Sequence, residues 1–296
     1  MLRSIDLFSS HNTRRLCAVH RQRIQNMAPP TLSPTVVMFH SLNIFALVLV
    51  LVVLTTAILT KSLRRVKTWY TFLCIQLFFA IAFLLHPFKQ PDFQPAFVPC
   101  LLQAVLVHAV PSTASWALFA LVLEVYVLIR TNSTADRKFK FFLLGLPIVV
   151  FTGEVLVVLL AGLKYPYAVG MNPDGLYCHL TCSTLRSIVD TILCLVPIIV
   201  SFILFCLIGL KAYRYSRGLQ AQRETAISSF TPLSILRIGT LILAPIPVFG
   251  CVIQGHTTLR LKLCNFLPLM PILTAIAFGT QKDMFSALFI WRSESS

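Results

Sequence analysis

The sequence predicts an all-α integral membrane protein, a bundle of seven membrane-spanning helices with the N-terminus outside and the C-terminus in the cytoplasm. Three observations predict it. Seven long apolar runs alternate with short polar connectors, the chain is 57% hydrophobic and only 12% charged, and Lys and Arg are spread unevenly over the connectors. A helix needs roughly 20 predominantly apolar residues to cross the ~30 Å hydrocarbon core. In lipid the backbone satisfies its hydrogen bonds only in helices or in a closed barrel, and these runs lack the alternation of barrel strands.

The expected spans, in order, are 36–60, 68–86, 97–129, 141–161, 188–210, 238–254 and 263–280. The first is the clearest, because 41–60 contains no charged residue. A basic cluster, Lys61 to Lys67, separates it from the second, and Lys89 follows the second. The third span ends at Arg130, and the fourth lies between Lys140 and Lys164. Arg186 precedes the fifth and Lys211 follows it. Arg237 opens the sixth, which carries Ala244-Pro-Ile-Pro247, and Lys282 follows the seventh. Pro111, Pro147, Pro197, Pro268 and Pro271 fall inside other spans. Each removes a backbone donor, which membrane helices tolerate when neighbours satisfy the freed carbonyl.

Orientation follows from the connectors, since Lys and Arg in short loops stay on the cytoplasmic side. The first, third and fifth connectors and the C-terminal tail hold 15 of these residues, whereas the second, fourth and sixth hold 5. The formal charge of +15 is therefore read as topology rather than as nucleic-acid binding. Residues 1–35 form a basic tail with five arginines, expected to be disordered, and its charge opposes the bias. Either the functional start lies at Met27, or a basic tail is translocated regardless. Residues 36–280 are the membrane domain. In 281–296, a short cytoplasmic tail, Met284, Phe285, Leu288, Phe289 and Trp291 recur at near-helical spacing, which suits an interfacial amphipathic helix.

Seven spans, this orientation, short loops and a basic third cytoplasmic connector resemble the G-protein-coupled receptor architecture. Two segments, Asn172-Pro-Asp-Gly-Leu-Tyr-Cys-His179 and Phe278-Gly-Thr-Gln-Lys-Asp283, resemble those of a large family of uncharacterised receptor-like seven-helix proteins of mushroom-forming fungi. The resemblance runs from about Met27 to Trp291. It implies a receptor-like role with the bilayer, a heterotrimeric G protein and an unknown small or lipid-like ligand as partners. It also implies a disulfide between Cys100, at the outer end of the third span, and Cys178, in the fourth connector. Cys182 and Cys264 also fall near the outer surface, so the residues alone leave the pairing open.

Three carboxylates sit inside spans: Glu124, Glu154 and Asp190. Ionisable groups at such depth mark function or an interior pair. Asp190 stands one turn after Arg186, a spacing that permits a local ion pair. His108 lies eight residues below Cys100, about 12 Å at ~1.5 Å per residue, and with Glu154 and Asp190 forms the candidate ligand site. Glu124 has two readings. One is a switch, pairing with Arg237 and released by a sixth-span hinge at Pro245 and Pro247. The other is structural, with the carboxyl either protonated or bonded to a neighbouring hydroxyl.

An intramembrane enzyme or a transporter is the alternative class. Neither is favoured, because no His-Glu-x-x-His pair and no internal repeat is evident, and no metal or cofactor is implied. A retinal pump is disfavoured because 263–280 contains no lysine.

Overall fold

The computed structural model describes residues 34–60, 66–85, 96–131, 136–172, 175–180, 184–220 and 267–280. Its elements are α1 (Pro34–Leu59), α2 (Lys67–Leu84), α3 (Phe97–Thr131), α4 (Arg137–Lys164), a 3-10 turn (Pro166–Ala168), β1 (Val169–Met171), β2 (Cys178–Leu180), α5 (Thr184–Gln220) and α6 (Leu269–Gly279). Five stretches are long and apolar enough to cross a bilayer: α1 to α4 entire, and Ile188–Lys211 within α5. The chain is a helical, multi-pass membrane protein. The expected sixth span, 238–254, lies outside the described residues, as do 1–33 and 281–296. Of the expected seventh span, the described residues form the 11-residue α6. Pro268 caps it and Pro271 falls in its first turn, where the missing donor costs no helical bond.

α3 is the central element, packing against α2, α4 and α5, and α1 packs between α2 and α6. The interior fills in tiers. Val50, Leu54, Trp69, Phe72, Leu118, Leu121 and Phe278 meet in one. Phe39, Phe79, Phe83, Val110 and Met270 meet in another, nearer the start of α3. The outward faces of α4 and α5, including Ile148, Val149, Leu160, Ile192 and Ile203, are apolar and exposed, as a lipid-facing surface requires.

Hydroxyls within the helices bond inward to their own backbone. Thr55, Thr56, Thr113, Thr152 and Thr274 each donate to the carbonyl four residues earlier, at 2.7–2.9 Å. A hydroxyl in hydrocarbon has no water to turn to, so this local acceptor is the available one. Two serines one turn after a proline do the same. Ser115 donates to the Pro111 carbonyl at 3.0 Å and Ser201 to that of Pro197 at 2.6 Å, and α3 and α5 run on through both.

Where α4 crosses the start of α3, the close approach is set by Gly162. A Cβ placed there would stand 2.3 Å from Leu101 Cδ1, itself buried. Gly153, on the same helix, has nothing within 4 Å of its Cβ position. Gly162→Val is therefore expected to lower stability by about 1–3 kcal/mol through overpacking, with Gly153→Val close to neutral. Thermal unfolding of the two variants in one detergent checks this, and equal melting temperatures would show that the α3–α4 approach is not tight at Gly162.

Candidate functional site

Between α4 and α5 the chain makes a short antiparallel hairpin, pairing Val169 with Leu180, Gly170 with His179 and Met171 with Cys178. Its reversal is closed by the Gly175 N–H donating to the Asn172 carbonyl at 2.8 Å, and the Asn172 N–H donating to that of Tyr177 at 2.8 Å. Gly175 adopts φ 70°, a left-handed conformation that glycine takes without penalty. The hairpin went unpredicted from sequence. The signal was present as Pro-Asp-Gly in 173–175, a turn-forming triplet.

β2 lies against α3 and is tied to it at three levels. Cys178 is bonded to Cys100, with their Cα atoms 5.3 Å apart, as the receptor resemblance implied. The Cys178 N–H donates to Gln103 Oε1 at 2.9 Å, and the Leu180 N–H donates to His108 Nε2 at 3.4 Å. Gln103 is fully buried, and its Nε2 donates to the Ala82 carbonyl at 3.2 Å, so one amide joins α2, α3 and the hairpin. Sequence reasoning passed over Gln103; an amide in an apolar run, with Asp92 the nearest Asp, Glu, Lys or Arg, was the available cue. At the hairpin's tip Leu176 and Tyr177 enter the bundle beside Phe39, Phe83, Leu267 and Met270, and the Tyr177 ring meets Phe83 edge-on at 5.3 Å.

Beneath this cover stands the candidate site. His108 Nδ1 is 3.0 Å from Asp190 Oδ2, linking α3 to α5. The Leu180 N–H can only donate, so Nε2 accepts, and the ring proton sits on Nδ1 and is donated to the carboxylate. One turn further along α5, Cys194 is buried, bonds to the Ser115 hydroxyl and lies within the fields of both Asp190 and Glu154. Glu154 itself is buried on α4. The three residues singled out for depth and chemistry, His108, Glu154 and Asp190, thus converge on the α3–α4–α5 junction.

Glu124 is placed elsewhere, toward the opposite end of α3. Its buried carboxylate accepts a hydrogen bond from the Thr68 hydroxyl. Thr68 lies in the first turn of α2, which has neither an acidic residue of its own nor a side-chain cap. Glu124 thus places a carboxyl oxygen beside the first turn of α2. Arg237, Pro245 and Pro247, the other switch candidates, lie outside the described residues, as do Cys182 and Cys264. At the same end Lys211 of α5 donates to the Ile129 carbonyl at 2.6 Å, one of the last acceptors of α3 that have no partner within the helix.

Among the described residues no group of three or more His, Cys, Asp or Glu side chains is arranged to hold a metal ion. The fold and site define a class, a multi-pass helical membrane protein with a disulfide-anchored hairpin over an interhelical polar junction. Beyond the class, no protein-family model matches the chain and no curated protein is similar enough to be matched with it.

Replacing Cys100 or Cys178 by serine is expected to lower the yield of folded protein to a similar degree, with the double variant no worse than either, as for two halves of one interaction. Fluorescence-detected gel filtration of the three variants reads this out. Strictly additive losses would show that each cysteine acts alone.

Proposed function

We propose that this chain is a receptor-like seven-span protein of the plasma membrane, oriented with the N-terminus outside. In this reading it binds a small or lipid-like molecule at the α3–α4–α5 junction and passes helix movement to a heterotrimeric G protein. One observation carries the reading: a hairpin pinned by Cys100–Cys178 folds down onto the His108–Asp190 pair, covering a polar junction between helices at the end away from the basic connectors. Disulfides persist on the oxidising side of a membrane, so the hairpin belongs outside. The charge bias puts Lys211 and the third connector inside, where a G protein would dock.

Orientation has a direct test. The sole sequon, Asn132-Ser-Thr134, falls in the third connector and is expected to carry no glycan when the protein is made through the secretory route. An endoglycosidase-sensitive mass shift that disappears in Asn132→Gln would invert the topology.

Function is tested by nucleotide exchange on purified heterotrimers, with the protein in nanodiscs and a library of small molecules and lipids as probes. At least one compound is expected to speed exchange, and His108→Ala should abolish its effect while the protein remains folded. If no Gα class responds to any compound, the receptor reading is withdrawn.

A further inference from the structure

We propose that His108 is a proton-binding site that sets the hold of the hairpin on α3, so that mild acid frees the β2 end of the cover. The inference goes beyond the receptor reading and does not depend on it, since it concerns only the proton and the hairpin.

The argument starts from donor and acceptor count. A neutral imidazole has one donor and one acceptor, and here both are used: Nδ1–H toward Asp190 at 3.0 Å, and Nε2 receiving the Leu180 N–H at 3.4 Å. A proton taken up from water can go only to Nε2. The ring then has two donors, and the Leu180 N–H faces another N–H. That hydrogen bond is lost and replaced by a repulsion. Across the ring the opposite happens, because an imidazolium–carboxylate bond to Asp190 is charge-assisted and stronger than its neutral counterpart. One proton therefore tightens α3 on α5 and loosens β2 from α3.

The geometry limits how far the loosening spreads. The other two ties of β2, the Cys100–Cys178 bond and the Gln103 amide, carry no group that titrates in mild acid. The hairpin stays tethered at Cys178 and is freed at Leu180, the end that leads toward α5.

Proton access is the second requirement. From His108 to Ile129 in α3, and from Asp190 to Lys211 in α5, is 21 residues in each helix. The two helices run in parallel and in register, with a polar link at either end. At ~1.5 Å per residue the links are about 32 Å apart, close to the ~30 Å thickness of the hydrocarbon core. With Lys211 at one membrane face, the His108–Asp190 pair stands at the other, and the two side chains retain 21% and 16% of their exposure.

Asp190 on α5 meets the His108 ring directly. The other titratable groups of the elements around it are Cys194 on α5, Glu154 on α4, which acts on Cys194, and His179, adjacent to Leu180 in β2. On α2 the titratable residues, Lys67, Tyr70 and Cys74, lie toward the other end of the helix. Histidine is the side chain whose ordinary chemistry changes charge between pH 5 and 8. Of the two histidines here, His108 is the one whose ring receives the Leu180 N–H at the hairpin's C-terminal end.

Hydrogen–deuterium exchange of the full chain in nanodiscs decides the matter. Exchange of the peptide covering 176–183 is measured from about pH 8 to about pH 5 and divided by that of an unstructured peptide at the same pH. Protection is expected to fall roughly five- to tenfold on acidification, the loss of one hydrogen bond, while α3 peptides stay unchanged. His108→Gln should remove the transition, and His179→Gln should retain it. Should His108→Gln fail to fold, His108→Asn replaces it, and the His179→Gln result stands independently. Flat protection in the wild type overturns the proposal. So does a transition that survives in the His108 variants or vanishes with His179, because the responsible proton would then sit on Glu154, Asp190 or His179.

Discussion

A strand at the edge of a sheet has N–H groups with no partner strand to receive them, and burial makes leaving them unpaired costly. Among the described residues β2 has only β1 beside it, and its other edge, with the N–H groups of Cys178 and Leu180, turns toward α3. Residues two apart in a strand share a direction, and α3 answers them with side chains near its own start: Gln103 for Cys178 and His108 for Leu180. The disulfide fixes the register of this match by holding Cys178 beside Cys100. The position of the hairpin, the tautomer of His108 and the direction of its bond to Asp190 all follow from satisfying two backbone donors.

The parallel pairing of α3 and α5 extends that constraint across the membrane. Near the hairpin the link is His108 to Asp190, between side chains; at the far end it is Lys211 to the Ile129 carbonyl. The second link does double duty, since a cation beside the C-terminal carbonyls of a helix offsets the dipole. Ser115 bonding to Cys194 adds a further cross-tie between them. A change at the hairpin end is thus applied to a helix pair that is bonded at both faces, with continuous helix between.

The first five spans were legible because hydrocarbon imposes a length and an apolar composition that no other constraint overrides. The expected 97–129 and the observed Phe97–Thr131 differ by two residues, and the expected 36–60 is offset by two at its start from Pro34–Leu59. α5 departs more, running to Gln220 where the expected span stops at 210, because past Lys211 it leaves the hydrocarbon and hydropathy no longer reports on it. His108, Glu154 and Asp190 stood out as ionisable groups at depth, but their mutual contacts needed the helix rotations that near-uniform apolar runs do not reveal. Gln103 was passed over for a different reason. Its amide stands out in an apolar run, but its role depends on a strand seventy-five residues later in the chain, which nothing local identifies. Glu124 had two readings, and the described structure pairs it with Thr68, a hydroxyl on a helix whose start lacked a cap.

The two halves of the bundle are held by different physics. α3 and α5 are joined by directional bonds whose loss leaves a named atom unpaired. α1, α2 and α6 meet mainly through rings and branched side chains, with Phe278 edge-on to Trp69 at 5.3 Å and to Phe72 at 6.1 Å, and the Tyr70 hydroxyl donating to the Ala57 carbonyl at 3.3 Å. Within that half Gln76 is fully buried, and among the described residues neither atom of its amide has a hydrogen-bond partner, nor does Asn43 Oδ1. An unpaired buried amide costs about 1–3 kcal/mol, which directional bonding would recover. Packing is non-directional and tolerates a small slide or rotation that a hydrogen bond does not. The α3–α5 pair is therefore bonded near both ends and α2 is bonded to α3 through Thr68 and the Ala82 carbonyl, whereas α6 meets α1 and α2 through apolar packing.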